Sequence, residues 1–234
     1  MLWQLAPHSA AYHMSFSLRL RGLLDIAALE ASFKWIIARH EVLRTHIRQD
    51  DAGSLHQVIE PRSGFTLEQL QQPLPEQELQ QQLAAYGQQP FDLHKGPWLK
   101  ACSFAVAGDL ANGAYVLTLV QHHIISDAWS MNLLVNELVS TYTALSQGQE
   151  PALPELPIQY ADYALWQRER LAGAEGERQL AYWKNQLGDE HPVLELPLDR
   201  PRPQQPSYRG SNHGFRLEQN LVNAIDQHAR ERGV

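Results

Sequence analysis

QHHIISDAWS, residues 121–130, is the stretch on which the reading of this chain turns. Just before it, residues 115–120 (YVLTLV) are an apolar run of strand length, which predicts a buried strand. After it, apolar side chains recur at helical spacing over residues 131–145. Leu134, Val135, Leu138, Val139 and Tyr142 share the predicted face, and Gly148 is the stop signal. The stretch is therefore a strand-to-helix turn, where a rigid scaffold can present side chains to a substrate. Strand alternation sends His122 and His123 to opposite faces, so one can face a cleft while the other props the loop. Asp127 stands where a helix N-cap belongs, three residues before Ser130, and is expected to be structural.

Working outward, residues 14–20 alternate apolar and polar side chains (Met14, Phe16, Leu18, Leu20) and predict a half-buried strand that Gly22 breaks. Asp25 caps a predicted helix whose apolar face holds Ala28, Leu29, Phe33, Ile36 and Ile37 and which ends near residues 39–41. A strand is predicted over residues 43–47, a turn at residues 51–53 and a returning strand over residues 55–59. The Gln-rich residues 69–82 read as a loop followed by a helix after Pro75. Residues 91–97 are a turn-rich connector into a strand over 99–106, and residues 108–113 have the composition of a hairpin turn. Helices are expected over 160–170 and 176–187, with Trp166 and Trp183. A proline-rich linker covers 192–206, and a strand at 214–217 and a helix over 219–232 follow.

Composition narrows the function. A net charge of −7 on 234 residues, with no basic block, argues against a nucleic-acid binder or an anionic-membrane binder. Cys102 is the only cysteine, so an intrachain disulfide and a Cys-based zinc site are excluded. It reads as a small buried residue in its strand. No apolar run approaches a membrane span and no signal-peptide pattern opens the chain, so a cytoplasmic location is expected. No G-x-S-x-G elbow, Walker loop or dinucleotide fingerprint is present. His123 is the catalytic candidate, because imidazole titrates near neutrality and can take or position a proton. Its plainer alternative is a loop histidine satisfied by backbone. A metal held by His122, His123 and Asp127 is disfavoured, since adjacent ligands on opposite strand faces make poor geometry for one ion. From the residues alone, the reading stops at His-dependent transfer in a cleft.

Four stretches carry a resemblance that goes further. HHIISDAWS fits the pattern HHxxxDG with His122, His123 and Asp127 in register, and RHEVLRTHI (residues 39–47) fits RHExLRTxF with Ile47 in place of Phe. YADYALWQR (residues 160–168) fits YxDYAxWQR, and LPLDRPRPQQPSYRG (residues 196–210) resembles an inter-lobe linker. In these motifs and their order the chain resembles the condensation domains of nonribosomal peptide synthetases, which have the chloramphenicol-acetyltransferase-like fold.

The resemblance implies an α/β (α+β two-layer sandwich) lobe, half of a two-lobed pseudo-dimeric domain. Residues 1–187 would be the N-terminal lobe, 188–207 the linker and 208–234 the start of a C-terminal lobe that continues past Val234. Because PHSAAYHM (residues 7–14) matches the region just after the family's first motif, the chain is expected to begin inside that motif. The implied function is amide-bond formation, in which a carrier-bound aminoacyl amine attacks an upstream carrier-bound acyl or peptidyl thioester. The isolated piece is expected to be inactive. No cofactor is expected on the domain itself, while 4'-phosphopantetheine is expected on partner peptidyl carrier domains upstream and downstream; an adenylation domain and the C-terminal lobe are the other expected partners.

Carried over by position, His123 lies beside the acceptor amine, and His122 and Asp127 hold the loop. Arg44 is expected to meet Asp127 in a buried ion pair. Backbone N–H groups of Ala128, Trp129 and Ser130 are expected to face the tunnel or a developing oxyanion. Ala128 departs from the family's Gly and is expected to fit if it lies in the first helical turn. The competing readings are a stand-alone acyltransferase of the same fold using a soluble thioester, and a non-catalytic recruitment or gating domain.

Overall fold

A four-stranded sheet carries the molecule, and its second strand is paired on both sides. The structure is a computed structural model that describes residues 8–62, 64–107, 113–190, 193–204 and 213–233. The chain runs through β1 (His13–Arg21), α1 (Ile26–Arg39), a 3-10 turn (Glu41–Arg44), β2 (Thr45–Gln49), β3 (Leu55–Ile59) and β4 (Glu68–Leu74). It continues through α2 (Glu76–Gln88), β5 (Leu99–Val106), β6 (Ala114–His122), α3 (Ala128–Ser146), α4 (Tyr160–Leu171), α5 (Ala174–Leu187) and α6 (Gln219–Arg232). It separates into two compact units, Met1–Asp199 and Arg200–Val234.

In the first unit the sheet order is β1-β6-β5-β4. β6 is antiparallel to β1, with His13 opposite His122, and antiparallel to β5, with Leu99 opposite Gln121. Being paired on both edges and covered on both faces, β6 is buried at every residue but Tyr115. Alternation divides its side chains. Val116, Thr118, Val120 and His122 share a face with His13, Ser17 and Phe104, and α2 packs there through Tyr86 on Phe104 and Gly87 beside Ser15 and His13. Leu117 and Leu119 point the other way and belong to one core with Phe33, Ile36 and Ile37 of α1 and Met131, Leu134 and Leu138 of α3. β2 and β3 form a separate antiparallel hairpin, joined to the connector before β5 by the Ile47 N–H, which donates to Leu93 O at 2.9 Å.

The helix start at Asp25 follows from its side chain, whose Oδ1 accepts from the Ala28 N–H at 2.9 Å. The predicted apolar face of α1 is buried in full. Gly113 bonds the chain leaving β1, accepting from the Gly22 N–H. A Cβ there would lie 2.4 Å from Gly22 O, and its φ is +70°, so only glycine fits. Residues 108–112 of the predicted hairpin turn lie outside the described residues.

Four expectations are corrected. Residues 69–74 are not a loop. They belong to β4, which runs parallel to β5 at the edge of the sheet. Edge exposure lets Gln fill the outer positions, only Leu74 is buried, and Pro73 falls where the register shifts; the apolar alternation of a strand is thereby diluted. Residues 43–44 belong to the 3-10 turn rather than to a strand. Thr45 Oγ1 donates to Glu41 O at 2.8 Å and Leu43 turns into the core. Val139 is 58% exposed, because the stripe of α3 that meets the core is Met131, Leu134, Leu138 and Thr141. In the second unit, residues 214–217 form no strand, although α6 spans the predicted helix.

Among the described residues no helix is long and apolar enough to cross a membrane. Residues 193–204 carry neither helix nor strand, as the prolines require.

The core placement is checked at Phe33, which is fully buried with its ring 5.1 Å from that of Phe65. Phe33→Ala is expected to lower unfolding stability by about 3–5 kcal/mol in urea titrations. A loss below about 1 kcal/mol would contradict a close-packed ring at this position.

Candidate functional site

At the end of β6 the chain is tied on both sides before it turns. The His122 N–H donates to Trp98 O at 3.0 Å, and the His123 N–H donates to Tyr12 O at 2.8 Å. Ile125 turns inward and is buried, and its N–H donates to His122 O at 3.1 Å. Three backbone bonds and one apolar anchor thus hold a loop of five residues, 123–127, between strand and helix.

Alternation places the two histidines as expected. His122 is buried among Tyr12, His13 and Phe91, whose ring centroids lie 6.1–6.4 Å away. Its Nδ1 accepts from the Ile124 N–H at 3.1 Å, which requires that nitrogen to be unprotonated. Burial, with the charges of His13 and His123 added, pushes His122 down to about 4. His13 is lowered too, by burial first. His123 is exposed and stands in the wall of a cavity of about 360 Å³, shared with His40, Leu43, Asp127, Leu134 and Tyr160.

Asp127 is the N-cap of α3, its Oδ1 accepting from the Ser130 N–H at 2.7 Å. That bond, helped by the Ser130 side chain, the Trp129 N–H and the charge of His123, lowers the carboxyl below its ordinary value. Ala128 is the first residue of α3, a position where Ala carries no strain. Trp129 is 83% exposed. The cap changes what the helix start can offer. The Ser130 N–H, expected to be open to an oxyanion, is already used by Asp127, and the Trp129 N–H leans on the same carboxylate.

Arg44 does not meet Asp127. Its Nη2 lies 3.4 Å from Glu41 Oε1, and its Nη1 donates to Glu60 O at the end of the β2–β3 hairpin. The helix that follows the first motif does reach residues 39–40 of the second, through Glu137. His40 Nε2 lies 2.6 Å from Glu137 Oε2, and Arg39 Nε lies 3.5 Å from Glu137 Oε1, which couples the end of α1 to the middle of α3. The N-cap residue of α4, just before the third motif, joins them: Gln159 Nε2 donates to Arg39 O, and the Glu41 N–H donates to Gln159 Oε1. Sequence reading passed over His40, Glu137 and Tyr160. Glu137 left a signal, an acid between Leu134 and Leu138 on the inward side of an apolar helix.

Cys102 is buried in β5 with its thiol pushed up to about 12, mainly by burial, as suits an inert core residue.

A family model described as "Condensation domain" matches residues 1–234. A protein of the linear gramicidin synthase of Brevibacillus parabrevis is 41% identical over 240 residues, a match that covers 99% of this chain and 3% of that protein. Among solved structures, the X-domain in its complex with OxyB from teicoplanin biosynthesis superposes with a TM-score of 0.83. It is 32% identical, and the match covers 99% of this chain and 51% of that one. The starter condensation domain of rhizomide synthetase superposes with a TM-score of 0.70 at 24% identity, over 80% of this chain and 45% of that one, and supports the fold alone. This chain therefore spans a small fraction of the curated relative and about half of the solved X-domain chain.

The lowered value of His122 has a stability consequence. Between about pH 6.5 and about pH 4 the unfolded chain binds the His122 proton and the folded chain does not. Stability should therefore fall as pH drops through that window. In urea titrations at pH 7 and pH 4, His122→Asn is expected to lose less stability between the two than the parent. An equal loss in both proteins would mean that His122 is not held neutral by the fold.

Proposed function

The chain belongs to the condensation-domain family, and on that premise we propose that it forms amide bonds between carrier-bound substrates. In this reading the amine of a carrier-bound aminoacyl thioester attacks the carbonyl carbon of an upstream acyl or peptidyl thioester. The C–N bond forms, the C–S bond breaks, the amine gives up a proton and the departing thiolate of the donor's phosphopantetheine arm takes one. Aminolysis of a thioester is favourable once the two groups are aligned, so the main task of the site is to hold the amine and accommodate its proton. Peptidyl carrier domains bearing 4'-phosphopantetheine are the proposed partners, with an adenylation domain in the same assembly. Residues 1–187 are proposed as the N-terminal lobe, 188–207 as the linker and 208–234 as the start of the C-terminal lobe.

The observation that carries this reading is the presentation of His123. An exposed imidazole stands in a cavity wall on a loop fixed from both neighbouring strands, while its buried neighbour His122 is held neutral behind it. We assign His123 the contact with the acceptor amine, and His122 and Asp127 the support of the loop. Arg44 is assigned to bracing the 3-10 turn against β3, and the Ala128 N–H is the group left at the helix start for a developing oxyanion.

One observation favours a second reading. The match to the X-domain solved with OxyB supports a domain that recruits a partner protein rather than joining substrates. The retained pair His122 and His123 supports catalysis instead.

The test uses the protein at its full natural length, a peptidyl-carrier donor and a panel of aminoacyl-carrier acceptors, with product followed by mass spectrometry. The parent is expected to extend the donor, and His123→Ala to reduce the rate about 10²-fold or more. Product unaffected by the substitution would reduce His123 to scaffold. A folded parent that yields no product with any acceptor would move the assignment to recruitment.

A further inference from the structure

His40 lies in the wall of the same cavity as His123, directly after the last residue of α1. Its ring is held in one orientation. Nε2 lies 2.6 Å from Glu137 Oε2, and the other carboxylate oxygen of Glu137 faces Arg39 Nε at 3.5 Å. An ionised carboxylate only accepts hydrogen bonds, so Nε2 is the nitrogen that carries the proton and donates. In the neutral ring Nδ1 is then an acceptor, and among the described residues it has no hydrogen-bond partner. The imidazole keeps 19% of its side-chain surface open, which leaves it reachable from the cavity.

The fixing group has a cost that packing alone does not explain. Glu137 is a carboxylate with 9% of its side chain open, set on the inward stripe of α3, where an apolar residue would join the core without desolvating a charge. Arg39 offsets the charge, and Arg39 is itself anchored by its guanidinium on Pro154 O. The cluster Arg39–Glu137–His40 thus spends buried polar groups on orienting one imidazole edge in the cavity wall.

We propose that His40 is a positioning residue for the acceptor: its Nδ1 accepts a hydrogen bond from the α-amino group of the incoming aminoacyl thioester, and Glu137 fixes the ring for that contact. A lone pair selects the part of the substrates that carries N–H donors, which at the reacting centre is the amine and not the thioester carbonyl. Two histidines then hold the amine from different elements, His123 from the β6–α3 loop and His40 from the end of α1. The inference rests on the condensation reading above and adds a residue to its acceptor side.

The test varies the acceptor and the donor separately in the full-length protein. The acceptor probes are L-alanyl, L-leucyl and L-phenylalanyl pantetheine thioesters, and the donor is a peptidyl-carrier thioester. His40→Gln places an amide N–H near the position of Nε2, keeping the bond to Glu137, and removes Nδ1. It is expected to raise the acceptor KM about five- to tenfold, the size of one hydrogen bond, with donor KM and melting temperature unchanged. His40→Asn returns an acceptor atom near the Nδ1 position and is expected to recover part of the acceptor KM. Glu137→Gln, which holds the ring through a weaker neutral acceptor, is expected to raise acceptor KM by less, again without moving donor KM.

An acceptor KM unchanged in both His40→Gln and Glu137→Gln overturns the proposal. Equal rises in donor and acceptor KM with a lowered melting temperature also overturn it, since that pattern marks a merely structural histidine. Failure of the parent to form product with any acceptor overturns the condensation reading and this inference together. Product from the parent with no acceptor-specific effect overturns this inference alone.

Discussion

Everything at the site depends on the end of β6, His122, and the first loop residue, His123, being tied to opposite sides. His122 donates its backbone N–H toward β5 at Trp98, and His123 donates toward β1 at Tyr12. A strand end held on one side would fray. Held on both, it delivers His123 into the cavity at a fixed height, and the buried Ile125 stops the turn from lifting away. The same pairing forces His122 into the interior, where losing water costs its charged form and leaves it neutral. The neutral ring can then accept from the Ile124 N–H and bind the turn to itself.

A second constraint joins the helices that cover the sheet. α1 and α3 pack through an apolar core, yet at one point a carboxylate replaces the expected hydrocarbon. Glu137 is tolerated there because Arg39 and His40 meet both of its oxygens. Removing one partner would strand a buried charge, so the three residues act as a unit. Gln159 extends the unit by clasping the backbone on either side of His40, at Arg39 O and at the Glu41 N–H. The motif at residues 39–47 therefore meets α3 and the N-cap of α4 at one joint, which borders the cavity through His40 and Tyr160. The result is a wall whose polar atoms are held by tertiary contacts rather than by the loop alone.

The elements with strong periodicity were legible from residues alone. The apolar stripe of α1, the continuous runs of β5 and β6 and the cap at Asp127 each follow from local chemistry that operates whatever the surroundings. β4 was not legible, because an edge strand rich in Gln buries only Leu74 in full, too little to betray its alternation, and needs β5 beside it to exist. Residues 214–217 showed the opposite failure, since a short apolar stretch promises a strand only where a partner strand is available.

The sequence by itself determined the strand-turn-helix frame, the opposite facing of His122 and His123 and the capping of α3, because period, turn and cap are set within a few residues. Tertiary structure alone decided the polar partners. Arg44 turns to Glu41 and Glu60 and leaves Asp127 to its cap, while Glu137 collects Arg39 and His40 across nearly a hundred residues of chain. Long side chains reach in many directions from one backbone position. Which direction they take depends on the charge and burial of groups brought near by packing, and no local pattern in the chain records that.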